Sequence, residues 1–343
     1  MINHEHYPGI PVRHADTVSS HNETAGKRHR MLLVGFSAVV FAASAWYIWR
    51  SFQWRDLGHV LKEVNLLCLI AGGGLSIVIF WMLRTLRWHI LLLRTGAHVP
   101  LLDLYLCTAV SLSFTLFTPL QSGEIIKIEL LKRHGLIQRS PGYGSFLVER
   151  ALDLGALLAM ACVSLMTAIN ILPNRAYIYC IGGGLVLACA TGLVVLLKLE
   201  LNGWPQQLKE HMRQCVGDVP TLVLVTAITG ISWASVAISW QVFLYSGGLS
   251  LGFAKAVALM STVSLVSILS LIPGGIGISE VGVSQILMRL GFAAVAAQAG
   301  SLVLRSVSLV AIVLGVCHLW LWKLVRAKRK RRLATAAGLE GVL

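Results

Sequence analysis

"SLIPGGIGISEVGVSQILMRL", residues 270–290, is the stretch on which the fold turns. It sits within a long apolar run, 254–290, yet one proline, three glycines and a glutamate fall between positions 273 and 280. Proline removes a backbone donor and glycine destabilises a helical turn, so no continuous helix runs through Pro273, Gly274, Gly275 and Gly277. At membrane depth a broken backbone survives only where protein or water satisfies its freed groups. The stretch therefore predicts an interrupted segment buried in protein, with the Glu280 carboxylate beside the break.

The composition supports membrane depth. Of 343 residues, 56% are hydrophobic and only 13% are charged, about half the charged share of an ordinary soluble domain. Apolar stretches long enough to cross about 30 Å of hydrocarbon recur from residue 31 to residue 325. The net charge of +14 would suggest nucleic acid on a soluble chain. Here the basic residues flank apolar runs, as in "KRHR" (27–30) and "KLVRAKRKRR" (323–332), where they set orientation and favour anionic lipid. The reading excludes nucleic acid as a partner. Seven cysteines carry no CxxC or zinc spacing and read as small core residues, so no metal and no cofactor is expected. "ASA" at 43–45 resembles a leader cleavage site, but the apolar run continues through Trp49, which favours an uncleaved first span.

The fold class that follows is an all-α polytopic membrane protein with six full spans, at 31–49, 66–88, 144–168, 176–197, 219–245 and 294–322. Two further apolar stretches are interrupted: 101–133 at "FTPLQSGE" (117–124) and 254–290 at "LIPGGIGISE" (271–280). Read as re-entrant hairpins, they leave both termini cytoplasmic. The clusters Arg84/Arg87/Arg94, Lys132/Arg133/Arg139 and Lys198/Lys209/Arg213 then fall on the cytoplasmic side, and Arg175 outside. The domain reading is a disordered tail (1–30), a transmembrane domain (31–325) with halves 31–168 and 176–325, and a basic cytoplasmic tail (326–343). Three crossings per half invert the second half relative to the first. A sequence echo accompanies the repeat: "SFLVERALDL" (145–154) aligns with "GSLVLRSVSL" (300–309), sharing an arginine, Arg150 and Arg305. Each arginine follows the glutamate of its break, Glu124 or Glu280, by 26 or 25 residues.

Ionisable residues inside a membrane are costly and mark functional sites by default. They are Glu124 and Lys127 after the first break, Glu149, Arg150 and Asp153 in the third span, Glu280 after the second break, and Arg305 in the last span. Glu149 and Asp153 share a helix face at i,i+4. The functional reading is a midplane cavity in which Arg150 and Arg305 clamp a phosphate, since the guanidinium fork matches phosphate oxygens. The competing reading is that these groups only pair with one another and tie the hairpin tips into the bundle, with Glu124 and Glu280 capping exposed N–H groups. Arg84 and Arg87 are expected to snorkel from a span end. Paired broken segments in two inverted halves are the usual sequence pointer to a transporter site. No HExxH, GxSxG or P-loop is present, and the chain is not expected to be an enzyme.

Three motifs in order carry a family resemblance: "TPLQSGEIIKIELLKR" (118–133), "VERALDLGALL" (148–158) and "IPGGIGISE" (272–280). They resemble the lysylphosphatidylglycerol synthase transmembrane family, the flippase-like domain of the multiple peptide resistance factor, over roughly residues 30–325. The family's Pro-x-x-x-Gly-Glu falls on Pro119, Gly123 and Glu124, and its Glu-Arg-x-x-Asp on Glu149, Arg150 and Asp153. Its Pro-Gly-Gly-x-Gly-x-x-Glu falls on Pro273, Gly274, Gly275, Gly277 and Glu280. The sequence departs from it at Leu120-Gln121-Ser122, where a basic residue is frequent, and at Lys127, where arginine is. The resemblance implies a bacterial cytoplasmic-membrane lipid translocase, binding an anionic phospholipid, a polyprenyl-phosphate-linked lipid, or a hopanoid or glycolipid. Without an aminoacyl-transferring domain it does not imply lysine transfer. The runner-up is a non-transporting partner that presents lipid to a lipid-modifying enzyme, and a third reading is a transferase acting on polyprenyl phosphate. Self-association stays open.

Overall fold

The fold is built from helices whose lengths fall into two classes. In a computed structural model, residues 45–115, 118, 123–167, 203–270 and 272–336 are described, together with Val39, Ala42 and Ala43. Eleven helices run through them: α1 (45–51), α2 (Trp54–Lys62), α3 (Gly73–Arg94), α4 (Leu101–Phe114), α5 (Ile125–Arg133), α6 (Arg139–Thr167), α7 (Trp204–Val216), α8 (Val219–Ser246), α9 (Phe253–Leu269), α10 (Ile278–Arg289) and α11 (Ala294–Ala336). No strand occurs among the described residues. Most of the span expected at 31–49, all of that at 176–197, and Arg175 lie outside the described residues, as do Pro119 and the tail 1–30.

Three helical stretches are long and apolar enough to cross a membrane: Cys68–Arg94, Val219–Ser246 and Ala294–Arg329. The first includes a π turn, Cys68–Gly72, that runs directly into α3; the Asn65 carboxamide accepts from the Cys68 N–H at 2.9 Å and caps the start. Asp218 caps α8 in the same way, accepting from the Thr221 N–H at 3.2 Å. The helices flanking the breaks are short: α4 has 14 residues, α5 9, α9 17 and α10 12. At about 1.5 Å per residue none of the four reaches ~30 Å.

The order long, short, short, long occurs twice, as α3–α6 and α8–α11. Corresponding helices start at a near-constant offset: Leu101 and Phe253, Ile125 and Ile278, Arg139 and Ala294. The helix ends repeat in atomic detail. After α3 the Ala97 N–H reaches back to the Leu92 carbonyl across Gly96 (φ 75°); after α8 Leu249 reaches Leu244 across Gly248 (φ 78°). After α5 Leu136 bonds Leu131 across Gly135 (φ 69°); after α10 Phe292 bonds Leu287 across Gly291 (φ 96°). All four are left-handed glycine caps. The packing repeats as well. Helix α3 lies on α8, α4 packs on α11 as α9 packs on α6, and α2 lies on α11 as α7 lies on α6. Exchanging the two halves leaves this set of neighbours unchanged.

The helix surfaces are the reverse of a soluble protein's. Leu75, Ile79, Met82, Leu86 and Leu93 form the exposed stripe of α3, and Leu309, Val313, Val316 and Trp320 that of α11. Arg84, Arg87, Trp88 and Leu91 form the buried face of α3. An apolar outer stripe of this kind faces lipid, while the charges turn inward.

The last helix runs past the span expected at 294–322: α11 continues without interruption to Ala336. No proline or glycine lies between Lys323 and Ala336 to stop it. Arg329 reaches Asp103 of α4 at 2.9 Å and Arg326 stacks over Trp322, so the basic turn is also held from the side.

Candidate functional site

A buried network of seven charges joins α3, α6 and the residues just after the first break. Glu149 and Asp153 stand one turn apart on α6, and Arg84 and Arg87 project from the facing side of α3. Arg87 donates to Glu149 (2.9 Å), to Asp153 (2.7 Å) and to the Thr229 hydroxyl (3.1 Å). Arg84 donates to Asp153 and lies 3.9 Å from Glu124. Lys127, one turn into the helix that follows the break, reaches Glu149 at 2.6 Å and Glu124 at 3.5 Å. Arg150 joins Glu124 (2.8 Å) to Asp153 (2.7 Å). The Trp233 indole also donates to Asp153, at 3.1 Å, and Lys127 sits 4.1 Å above the Trp88 ring. Glu149 and Arg87 are fully buried, and only Arg150, at 22%, is appreciably exposed.

Four cations and three carboxylates make this group, so it carries one net positive charge inside the bundle. Removing charges from water costs several kcal/mol per ion, which pairing offsets only when geometry is good and every lone pair is used. The contacts give every carboxylate oxygen of Glu124, Glu149 and Asp153 at least one donor. They do not consume every donor: the buried Arg84 Nε has no partner among the described residues.

The second break is built differently. Gly274, Gly275 and Gly277 have φ of 60°, 61° and 89°, the left-handed region that glycine alone adopts at little cost. The turn exposes the first N–H groups of α10, and Glu280 reaches back to the Gly277 N–H at 2.7 Å while accepting from the Ser279 hydroxyl at 2.9 Å. Its other oxygen holds Arg305 Nε at 3.3 Å, and Arg305 also donates to the Gly274 carbonyl at 2.8 Å. Thus Glu280 caps its helix and pairs its arginine. Glu124 makes no such cap; at the first break the Gly123 N–H goes to the Thr118 hydroxyl instead, at 2.7 Å.

Two cavities lie between the breaks. One, about 240 Å³, is lined by Gly274, Gly275, Arg305 and several serines, and by Thr115 and Thr118 from the first break. The other, about 210 Å³, is lined by Arg84, Glu124, Phe80, Trp81 and Trp233. They share Thr115, Trp240, Ser264 and Val307, and so form one cleft with a charged group at each end.

All seven sequence-selected charges are therefore gathered, five in the network and two at the other end of the cleft. Arg84 and Arg87 correct the sequence reading. They do not snorkel: their side chains are 3% and 0% exposed and tie α3 to α6. The sequence reading ended the span at 88, whereas α3 runs on to Arg94, which leaves Arg84 ten residues from its end. That is about 15 Å, farther than an arginine reaches. Two arginines at i,i+3 on one helix face were the available signal. Trp88, Thr229 and Trp233 gave none. Of the cysteines, Cys107 and Cys215 are buried, while Cys317 is exposed rather than in the core. No cluster of metal-ligating side chains occurs among the described residues.

A comparison with curated proteins finds no match. The profile of one family does match, over residues 34–315, a range that takes in both breaks, the charge network and the cleft between them. On that match the chain belongs to the family described as the lysylphosphatidylglycerol synthase TM region, and is a membrane-embedded helical protein.

Proposed function

We propose that the protein is a lipid translocase that binds an anionic headgroup in the cleft between its two broken segments. The observation that carries this reading is the unequal charge count: a buried network with one positive charge in excess opens onto the cleft through Arg84. A lipid phosphate beside the Arg84 guanidinium would supply the missing negative charge. In this reading Arg84 and Arg305, at the two ends of the cleft, face the ligand. Arg150, Glu124, Glu149, Lys127 and Asp153 hold Arg84 in place.

The proposed topology has six crossings and two re-entrant pairs, α4–α5 from the cytoplasm and α9–α10 from outside, in inverted halves, with both termini cytoplasmic in a bacterial inner membrane. The short helices and the exchangeable packing support it. The reading assigns no bond-making chemistry to the protein, and its partners are the lipid and an optional lipid-modifying enzyme or second copy. One observation favours the alternative, in which the cleft only presents lipid to another chain. The network is so fully paired that moving α3 against α6 would strip several buried ions of partners.

Leaflet exchange separates the two. The purified protein is reconstituted into vesicles containing tail-labelled fluorescent phosphatidylglycerol, and quenching by an impermeant reductant is followed. A translocase carries label from the inner to the outer leaflet until nearly all is quenched. A plateau near one half, as in protein-free vesicles, would exclude translocation of this lipid.

A further inference from the structure

The two ends of the cleft differ in chemistry, and the difference bears on the headgroup. At the Arg84 end the lining is mostly aromatic and aliphatic, with Phe80, Trp81, Trp233 and Trp240; Arg84 and Glu124 both reach it, and the network behind them holds one excess positive charge. At the Arg305 end the charges cancel, because Glu280 lies 3.3 Å from the guanidinium. What this chamber offers instead is hydroxyls: seven of its lining residues are serine or threonine. The Ser301 hydroxyl donates to the Gln298 carbonyl at 2.7 Å and keeps its lone pairs as acceptors; the Thr118 hydroxyl donates to Thr115 at 3.3 Å and, with the Gly123 N–H on one lone pair, keeps the other. The hydroxyls of Ser264, Ser267 and Ser308 make no hydrogen bond to the described residues and can donate as well as accept.

A second anionic group would suit this chamber poorly, since Glu280, behind the lining rather than in it, already neutralises Arg305 at 3.3 Å. An apolar group would leave the hydroxyls without partners, and buried polar groups need them. Neutral hydroxyl groups satisfy both conditions. Each chamber is smaller than the ~300–1,000 Å³ of a site for a drug-sized ligand, so each suits one fragment of a headgroup. Because the chambers share Thr115, Trp240, Ser264 and Val307, the two fragments can be covalently adjacent.

Resting on the translocase reading, we infer that the cleft is a two-part site for a polyol phosphate, a lipid whose phosphate sits at Arg84 and whose neutral, hydroxylated headgroup, a polyol or sugar, occupies the serine-lined chamber at Arg305. The same chemistry is shared by a free polyol phosphate, and the experiment distinguishes the two sources.

Binding to the full-length protein in lipid nanodiscs is measured with phosphatidylinositol and with phosphatidic acid of the same acyl chains. Both carry the phosphate; only the first carries the polyol. Phosphatidylinositol should bind about tenfold more tightly, the worth of a few neutral hydrogen bonds. The Ser267→Ala/Ser308→Ala double variant, which removes two small hydroxyls that line only the Arg305 chamber and adds no bulk, should abolish that preference. It should leave phosphatidic acid affinity and melting temperature unchanged. Equal affinity for the two lipids in the wild type overturns the polyol subsite alone, as does a variant that weakens both lipids equally. Failure of either lipid to bind overturns the translocase reading and the subsite with it. Soluble inositol phosphate should compete only weakly, and competition as strong as the lipid's would keep the subsite while overturning the lipid as its source.

Discussion

The two breaks occupy matching places in the repeat and use the same glutamate–arginine pair, yet they behave as different objects. At the first, Glu124–Arg150 is one edge of a seven-charge lattice joining α3, α5 and α6. At the second, Glu280–Arg305 stands alone beside a cavity, and Ser308 occupies the position on α11 that Asp153 holds on α6. The glycines differ too. Gly123 has no positive φ; a Cβ there would lie 2.8 Å from the Thr115 backbone nitrogen, so it serves close approach. Gly275 needs its left-handed φ, and a Cβ there would also meet Ser267 at 2.7 Å. One architecture thus carries a rigid strut in one half and an accommodating wall in the other. A repeat of the backbone does not impose a repeat of the chemistry.

If the first break is a strut, its centre should be the most costly place to cut. Arg87→Met leaves Glu149 and Asp153 short of a buried partner and should destabilise the protein by about 3–5 kcal/mol, read as lost folded yield and a lower melting temperature in detergent. Adding Glu149→Met should recover a substantial part, because an apolar pair of similar volume replaces the charges. A single variant that melts like wild type would mean the lattice contributes little to holding α3 on α6. At the second break the vulnerable point is backbone rather than charge. Gly275→Val should cost about 1–3 kcal/mol from its strained φ alone, and the contact with Ser267 adds to it. Wild-type yield and lipid binding in that variant would count against the left-handed turn.

The sharpest comparison is between the two arginines of the repeat. Arg150→Lys keeps the charge but shortens the reach of the one nitrogen, Nη2, that contacts both Glu124 and Asp153, and should lower stability by about 1.5–3 kcal/mol. Arg305 is 28% exposed with one carboxylate partner, so Arg305→Lys should cost less than about 1 kcal/mol. It should instead weaken lipid binding severalfold. A reversed pattern, with Arg305 governing melting and Arg150 governing lipid affinity, would exchange the roles given to the halves.

These roles were only partly legible in the sequence. Proline and glycine interrupt hydrophobic runs locally, so both breaks could be read directly from composition, as could the glutamate–arginine spacing that marks the repeat. Glu149 and Asp153 were legible because i,i+4 places them on one face. Arg84 and Arg87 were misread because their meaning depends on where α3 ends, and its last turn, up to Arg94, is set by a cap across Gly96 and by packing rather than by hydropathy. The partition into strut and cavity depends on which side chains meet across the bundle. Trp233 and Thr229 reach Asp153 and Arg87 from α8, far along the chain, and no local spacing announces such a contact.

The proposed inversion leads to an experiment with little energetic effect and an all-or-none readout. His98 follows α3 and Ser250 follows α8 at the same place in the repeat, two residues beyond the glycine caps Gly96 and Gly248, and both are exposed. Three crossings separate them if each half is span, span, hairpin, span. An odd number of crossings puts equivalent loops on opposite faces. In a cysteine-free background, His98→Cys should react with an impermeant maleimide only from the cytoplasmic side and Ser250→Cys only from outside. Neither substitution touches the network or the cleft, so folding and melting should be unchanged. Were both positions labelled from one side, the halves would be parallel, and α9–α10 would enter the membrane from the same face as α4–α5. The strut and the cavity wall would then no longer approach the cleft from opposite leaflets, and the difference between the breaks would lose its connection to transport across the bilayer.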